Sequence, residues 1–228
     1  MTQTIVFAAV AASAILLGAA IGAFWTPDER LQGALLAFAG GALITALAFE
    51  LFEEAHHAAG LAKSVLALFV GAAVFTAANL FLQRKFGGRE AAGLALVAAV
   101  TLDGVPENLA LGVTLAESGS YALLVAIFAS NFPEALDGAA SIREDEGAGR
   151  AFAVWAAVAA LLALSIFGGM FAVNVVPADA IGLLLAFAAG AILASIADTV
   201  LPQAFSEGGP LIAFSTTAGF ATAYALAS

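Results

Sequence analysis

The chain has 228 residues, of which 63% are hydrophobic and only 11% charged, with a mean hydropathy of +1.04, a composition that soluble domains of this length do not carry. It contains no cysteine, which excludes disulfides, thiolate metal sites and thiol catalysis. A net charge of −10 argues against nucleic acid, which needs a basic surface.

Apolar runs long enough to cross a bilayer, about 20 residues each, fall near residues 4–25, 32–55, 61–83, 91–116, 120–142, 150–173, 180–204 and 210–227. They predict an all-α integral membrane protein whose eight transmembrane helices form a single domain over residues 1–228. The runs are continuous, without the alternation of a closed barrel. No positive segment precedes the first run, so it reads as a span and not as a cleaved signal. Basic residues favour cytoplasmic loops. With eight spans, Arg30, Arg84, Lys85, Arg89, Arg143 and Arg150 fall on one side and Lys63 alone on the other. That asymmetry predicts a multi-pass protein of the inner (plasma) membrane with both termini outside, its partners being the lipid bilayer and a transported ion. Trp25, at a span end, reads as an interface anchor. Asn79 and Asn174 are expected to bond neighbouring helices, and Arg143 to Glu146 to form a solvated loop.

The second and seventh runs resemble each other. The segment from Ala39 to Ala48 aligns with that from Ala188 to Ala197, and Phe52-Glu53-Glu54-Ala55 aligns with Leu201-Pro202-Gln203-Ala204. An even and an odd span run in opposite directions, so the similarity predicts an inverted repeat flanking spans four and five, a 3+2+3 plan.

Those two middle spans carry the chemistry. The fourth contains Leu102-Asp103-Gly104-Val105-Pro106-Glu107-Asn108, with two carboxylates one helical turn apart on one face. A charge at the centre of a bilayer costs roughly 2.5 to 3.5 kcal/mol on insertion scales. Pro106 lacks a backbone donor and presses on the preceding turn, which predicts a kink and a freed Leu102 carbonyl. Ser130-Asn131-Phe132-Pro133-Glu134-Ala135 repeats the pattern in the fifth span, with Ser130 four residues before Glu134 and Pro133 freeing the Ala129 carbonyl. Two such helices can build one polar site at mid-depth, where transporters keep their ion sites.

Charge placement sharpens the expectation. Glu50, Glu53, Glu54, Asp103, Glu107, Glu134, Asp137 and Asp198 lie within or at the ends of spans, whereas all seven Lys and Arg lie in predicted loops. A buried carboxylate without a basic partner must hold either a proton or a cation. Asp103, Glu107, Ser130, Asn131 and Glu134 are therefore the expected metal ligands. Glu50, Glu53, Glu54, His56, His57, Asp137 and Asp198 are weaker pathway candidates. His56 and His57 read either as a surface capture site or as a polar helix end. With no imidazole or thiolate at mid-depth, the donors are oxygens, which suit Mn, Mg or Ca better than Zn.

The x-P-E of the fourth run and the N-x-P-E of the fifth, within eight spans, resemble the ZIP family of divalent metal transporters in a divergent prokaryotic form. The resemblance implies a metal site between helices 4 and 5, movement of Zn, Fe, Mn or a related ion toward the cytoplasm, often a homodimer, and a match of Asp198 and Pro202 to the acidic end of the seventh helix. It requires no organic cofactor, because the metal ion is the substrate. Asp103, Gly104 and Asn108 depart from the family's H-N-x-P-E-G, Ser130 replaces the usual Gln or His, and Ala135 replaces Gly. The sixth span, at Ser165-Ile166-Phe167-Gly168, lacks the Glu and Pro of many relatives, so one metal site is expected and not two. The alternatives are a carrier or channel for protons or another solute on the same scaffold, or a membrane sensor. No motif for a nucleophile or general base appears, so an enzyme is not expected.

Overall fold

The computed structural model describes residues 2–86, 92–116 and 119–227. Arg89, counted above among the loop charges, lies outside the described residues.

Every apolar run is helical. The elements are α1 (Thr2–Gly22), α2 (Glu29–Ala46), a π-helical segment (Leu47–Phe52), α3 (Glu53–Ala59), α4 (Leu61–Phe86), α5 (Ala92–Thr114), α6 (Tyr121–Glu146), α7 (Ala148–Val175), α8 (Ala178–Ser195), a second π segment (Ile196–Val200), α9 (Leu201–Gly208), a 3-10 turn (Gly209–Leu211) and α10 (Ile212–Ala227). Among the described residues, five helical stretches are long and apolar enough to cross a membrane: Thr2–Gly22, Glu29–Ala59, Leu61–Lys85, Ala148–Val175 and Ala178–Ala227. The carboxylate-bearing α5 and α6 are not among them. Large apolar side chains cover the outside, with Phe24 83%, Phe214 77%, and Phe69 and Phe171 67% exposed. A surface that apolar is what lipid, and not water, solvates.

Local chemistry sets the helix ends. Asp28 caps α2 by accepting from the Arg30 N–H at 3.2 Å, and Ser120 caps α6 by accepting from Leu123 N–H at 2.9 Å. Gly60, at φ +83°, turns the chain between α3 and α4, and Gly147, at φ +85°, between α6 and α7. Neither Pro106 nor Pro133 ends its helix.

Helix α6 runs on to Glu146, so the segment from Arg143 is a helical turn and not the expected loop. Arg143 ties that turn to the α1–α2 connection, donating to the Gly22 carbonyl at 3.4 Å and to Thr26 Oγ1 at 2.9 Å. The other basic residues also differ from expectation. Arg30, Lys63, Arg84, Lys85 and Arg150 stand in the terminal turns of helices, exposed, because their aliphatic stems can extend toward solvent from a helical position.

Packing repeats itself. α1 lies along α6 as α7 lies along α5, and α10 lies along α2 as α4 lies along α8. Glycines make the close approaches, and they recur in pairs. Gly41 abuts the Thr216 carbonyl where Gly190 abuts that of Leu68; Gly219 abuts the Phe38 carbonyl where Gly71 abuts that of Phe187. Gly33 meets the Ala204 carbonyl as Gly182 meets that of Ala55. Gly22 lies against the Leu136 carbonyl as Gly169 lies against that of Leu109. Absent side chains let backbones touch, the usual way apolar helices associate in lipid.

Candidate functional site

Helices α5 and α6 meet in the interior, each flanked by a glycine-bearing helix pressed on the turn that follows its proline. Asp103, Glu107 and Glu134 are 8%, 3% and 8% exposed, and Ser130, Asn131 and Asn108 are buried with them. Glu107 lies within the electrostatic field of both Asp103 and Glu134. The five expected ligands therefore come from two adjoining helices and are all interior.

Hydroxyls occupy two of the carboxylates. Ser195, on α8, donates to Asp103 Oδ2 at 2.6 Å, and Ser130 donates to Glu134 Oε1 at 3.0 Å. Ser195 in turn lies 3.2 Å from Thr199 Oγ1, whose hydroxyl donates to the Ser195 carbonyl at 2.7 Å. Glu107 has no hydrogen-bond partner among the described residues. Asn131 Nδ2 and Asn108 Oδ1 are buried without partners, although Asn108 Nδ2 donates to the Gly104 carbonyl at 2.8 Å. Among the described residues no three His, Asp or Glu side chains converge closely enough to cage an ion.

Sequence reasoning missed Ser195, a single hydroxyl in an Ala-rich stretch with no motif to mark it. It also missed the two π segments, which follow α2 and α8, the helices of the two runs that resemble each other. Such bulges in a helix often accompany functional sites.

The weaker candidates divide. Glu50, Glu53, Glu54 and His57 line a hollow of about 390 Å³ with Phe49, Tyr224 and Ala227, at the end of the molecule away from Arg143. His57 Nε2 stands 3.9 Å from Glu53 Oε1, both side chains well exposed, and the His56 ring tilts beside that of His57. Glu54 also lines a smaller hollow of about 130 Å³ with Val113, Thr114, Val173, Ile181 and Leu185, between α3, α5, α7 and α8. Asp137 lies one turn past Glu134 on α6 and meets Gln203 of α9.

Asp198 does not join the carboxylate cluster. It sits in the second π segment, faces outward, and accepts from Asn79 Nδ2 of α4 at 2.5 Å, so Asn79 does bond a neighbouring element as expected. The π register turns Asp198 away and leaves Ser195 facing Asp103 instead. Asn174, by contrast, donates to Met170 within its own helix at 2.9 Å.

No protein-family model matches the chain, and no curated protein sequence matches it significantly.

Proposed function

We propose that the chain is a ZIP-like carrier that moves a divalent cation toward the cytoplasm through eight transmembrane helices, two inverted three-helix repeats around α5 and α6. One observation carries the reading: the two proline helices place Asp103, Glu107 and Glu134 in a common interior, with no Lys or Arg among the described residues paired to any of them. Ionised carboxylates in an apolar interior need a counter-charge. A dication supplies it, and it offers each carboxylate more than a neutral hydroxyl does. Ser195 and Ser130 then act as placeholders whose bonds are exchanged for the ion, with Asn131 completing an all-oxygen set through its amide oxygen. Such a set favours Mn, Mg or Ca, with Zn and Fe as competing cargoes. The paired glycine contacts support the repeat, and the acidic hollow with His57 supports a capture point at the outer mouth.

A second reading, protons or another solute as cargo, is favoured by the lack of three converging metal-binding side chains among the described residues. Proteoliposomes holding a metal-sensitive dye separate the two. Manganese influx that disappears in Asp103→Asn and Glu107→Gln supports the first. Proton movement without metal entry in the same vesicles supports the second and removes the first.

A further inference from the structure

Away from the central carboxylates, α2 packs against both α6 and α9 at the end of the molecule that carries Arg30 and Arg143, the cytoplasmic end under the transport reading. Gln203 Nε2 donates to Glu207 Oε1 at 2.8 Å, and the same side chain lies beside Asp137. One neutral amide therefore lies near two carboxylates that are in each other's field, and Glu29 adds a third charge nearby. No Lys or Arg among the described residues is ion-paired to Asp137 or Glu207. The other Glu207 oxygen, Oε2, is buried with no partner.

A separate observation points the same way. Gln32, only 3% exposed, has a buried Oε1 with no hydrogen bond. Its Nε2 donates to the Pro133 carbonyl at 2.7 Å. Pro133 is one turn before Asp137 on α6, and the next residue, Gly33, packs on Ala204 and Gly208 of α9. The free amide oxygen thus belongs to the α2 turn that touches α6 at Pro133 and α9 at Ala204 and Gly208, each within a turn of Asp137, Gln203 or Glu207. A buried acceptor left open is unfavourable, and a bound cation removes that cost. The repeat adds a geometric argument. Gln32, Gln203 and Glu207 correspond to Ile181, Glu54 and Ala58, all of which line the hollow at the opposite end.

We infer that Asp137, Glu207, Gln32 and Gln203 form a second binding site for a divalent cation, one turn to the cytoplasmic side of the central carboxylates. This deepens the transport reading and rests on it for direction: the ion released from Glu134 passes to Asp137 before leaving. Two carboxylates and the open Gln32 oxygen, joined by the Gln203 oxygen when its amide turns over and exchanges the bond to Glu207 for the ion, make a weaker, hard-cation site, suited to release.

Equilibrium binding of Mn²⁺ to the purified full-length chain in detergent tests the inference. The wild type is expected to bind about two equivalents, with Glu207→Gln and Asp137→Asn each losing one and Glu107→Gln losing the other. Glu207, only partly buried, carries the test if Asp137→Asn fails to elute as a single species. A wild type that binds one equivalent, lost in Glu107→Gln and unchanged in Glu207→Gln, overturns the second site and keeps the central one. Binding lost in Glu207→Gln but intact in Glu107→Gln upholds the second site and removes the central one. No binding to any form overturns both.

Discussion

Two adjacent glycines of α7 are expected to respond to alanine with opposite signs. Gly168 is exposed, and a methyl added there meets nothing within 4 Å, whereas one on Gly169 would overlap the Leu109 carbonyl of α5. At Gly168 only backbone entropy changes, and alanine gains roughly 0.5 to 1 kcal/mol in a helix interior. At Gly169 the obstruction is backbone and cannot turn aside, so the overpacking cost lies near the upper end of its usual range, about 3 kcal/mol. Set against a helix gain of about 1 kcal/mol, the net loss is about 2 kcal/mol. For chains of about this length 1 kcal/mol moves Tm by roughly 2 to 4 °C, so Gly168→Ala should melt about 1 to 4 °C higher and Gly169→Ala about 4 to 8 °C lower. Thermal melts in detergent, followed by the surviving monodisperse fraction, read both. Since Leu109 lies two residues beyond Glu107, Gly169→Ala should also slow manganese uptake. Shifts of the same sign, or a neutral Gly169→Ala, would refute the α5–α7 contact and the placement of Glu107 that depends on it.

Ser195→Ala removes the charge-assisted bond to Asp103 and should lower stability by about 1.5 to 3 kcal/mol without metal; the deficit should narrow on adding Mn²⁺, and a melt indifferent to metal would count against the placeholder role. Asn79→Ala breaks the 2.5 Å bond to Asp198 and should cost a similar amount while manganese flux per folded protein stays intact. Abolished flux there would put Asp198 back on the pathway. His57→Ala, breaking a well-exposed 3.9 Å pair, should shift stability by less than about 0.5 kcal/mol yet raise the KM for uptake with little change in maximal rate. An unchanged KM would reduce the His57 cluster to a polar helix end.

The helices were readable because continuous apolar runs have few other stable fates, and the meeting of α5 and α6 was readable because Pro106-Glu107 and Pro133-Glu134 share one pattern in neighbouring runs. The similarity around Gly41 and Gly190 was readable too, and it falls where two backbones touch. The π segments left no trace, since a shift in the hydrogen-bond ladder alters the direction of side chains without altering hydropathy. That shift is why Asp198, promising by charge, points outward while Ser195 points in. The junction of Gln32, Asp137, Gln203 and Glu207 was hidden for another reason: its members come from three elements far apart in the chain, and two of them are neutral amides. The extension of α6 through Glu146 was missed because a run of charged residues reads as loop, although a helix end in the interfacial zone can carry charges on exposed turns.

The carboxylates and the glycines are parts of one arrangement. Gly22 touches the carbonyl two residues beyond Glu134, and Gly169 touches the one two residues beyond Glu107. Each proline helix is thereby held by a close backbone contact on the turn that follows its glutamate, where a larger residue would push the helix outward. Carboxylates that repel one another would otherwise separate, and the paired contacts oppose that separation at equivalent points on both sides. The ligand sets are not equivalent, however: with the Pro-Glu pairs of α5 and α6 aligned, Asp103 stands where α6 has Ser130. A symmetric frame with an asymmetric charge distribution gives the interior a direction. On the α6 side the acidic groups continue from Glu134 to Asp137 and Glu207, whereas the corresponding positions beyond Glu107 on the α5 side are Ala110 and Ala58. Under the transport reading, a cation leaving the centre toward the Arg143 end meets Asp137 one turn beyond Glu134, whereas on the α5 side the equivalent position is apolar and the next carboxylate is Glu54, in the hollow at the outer mouth.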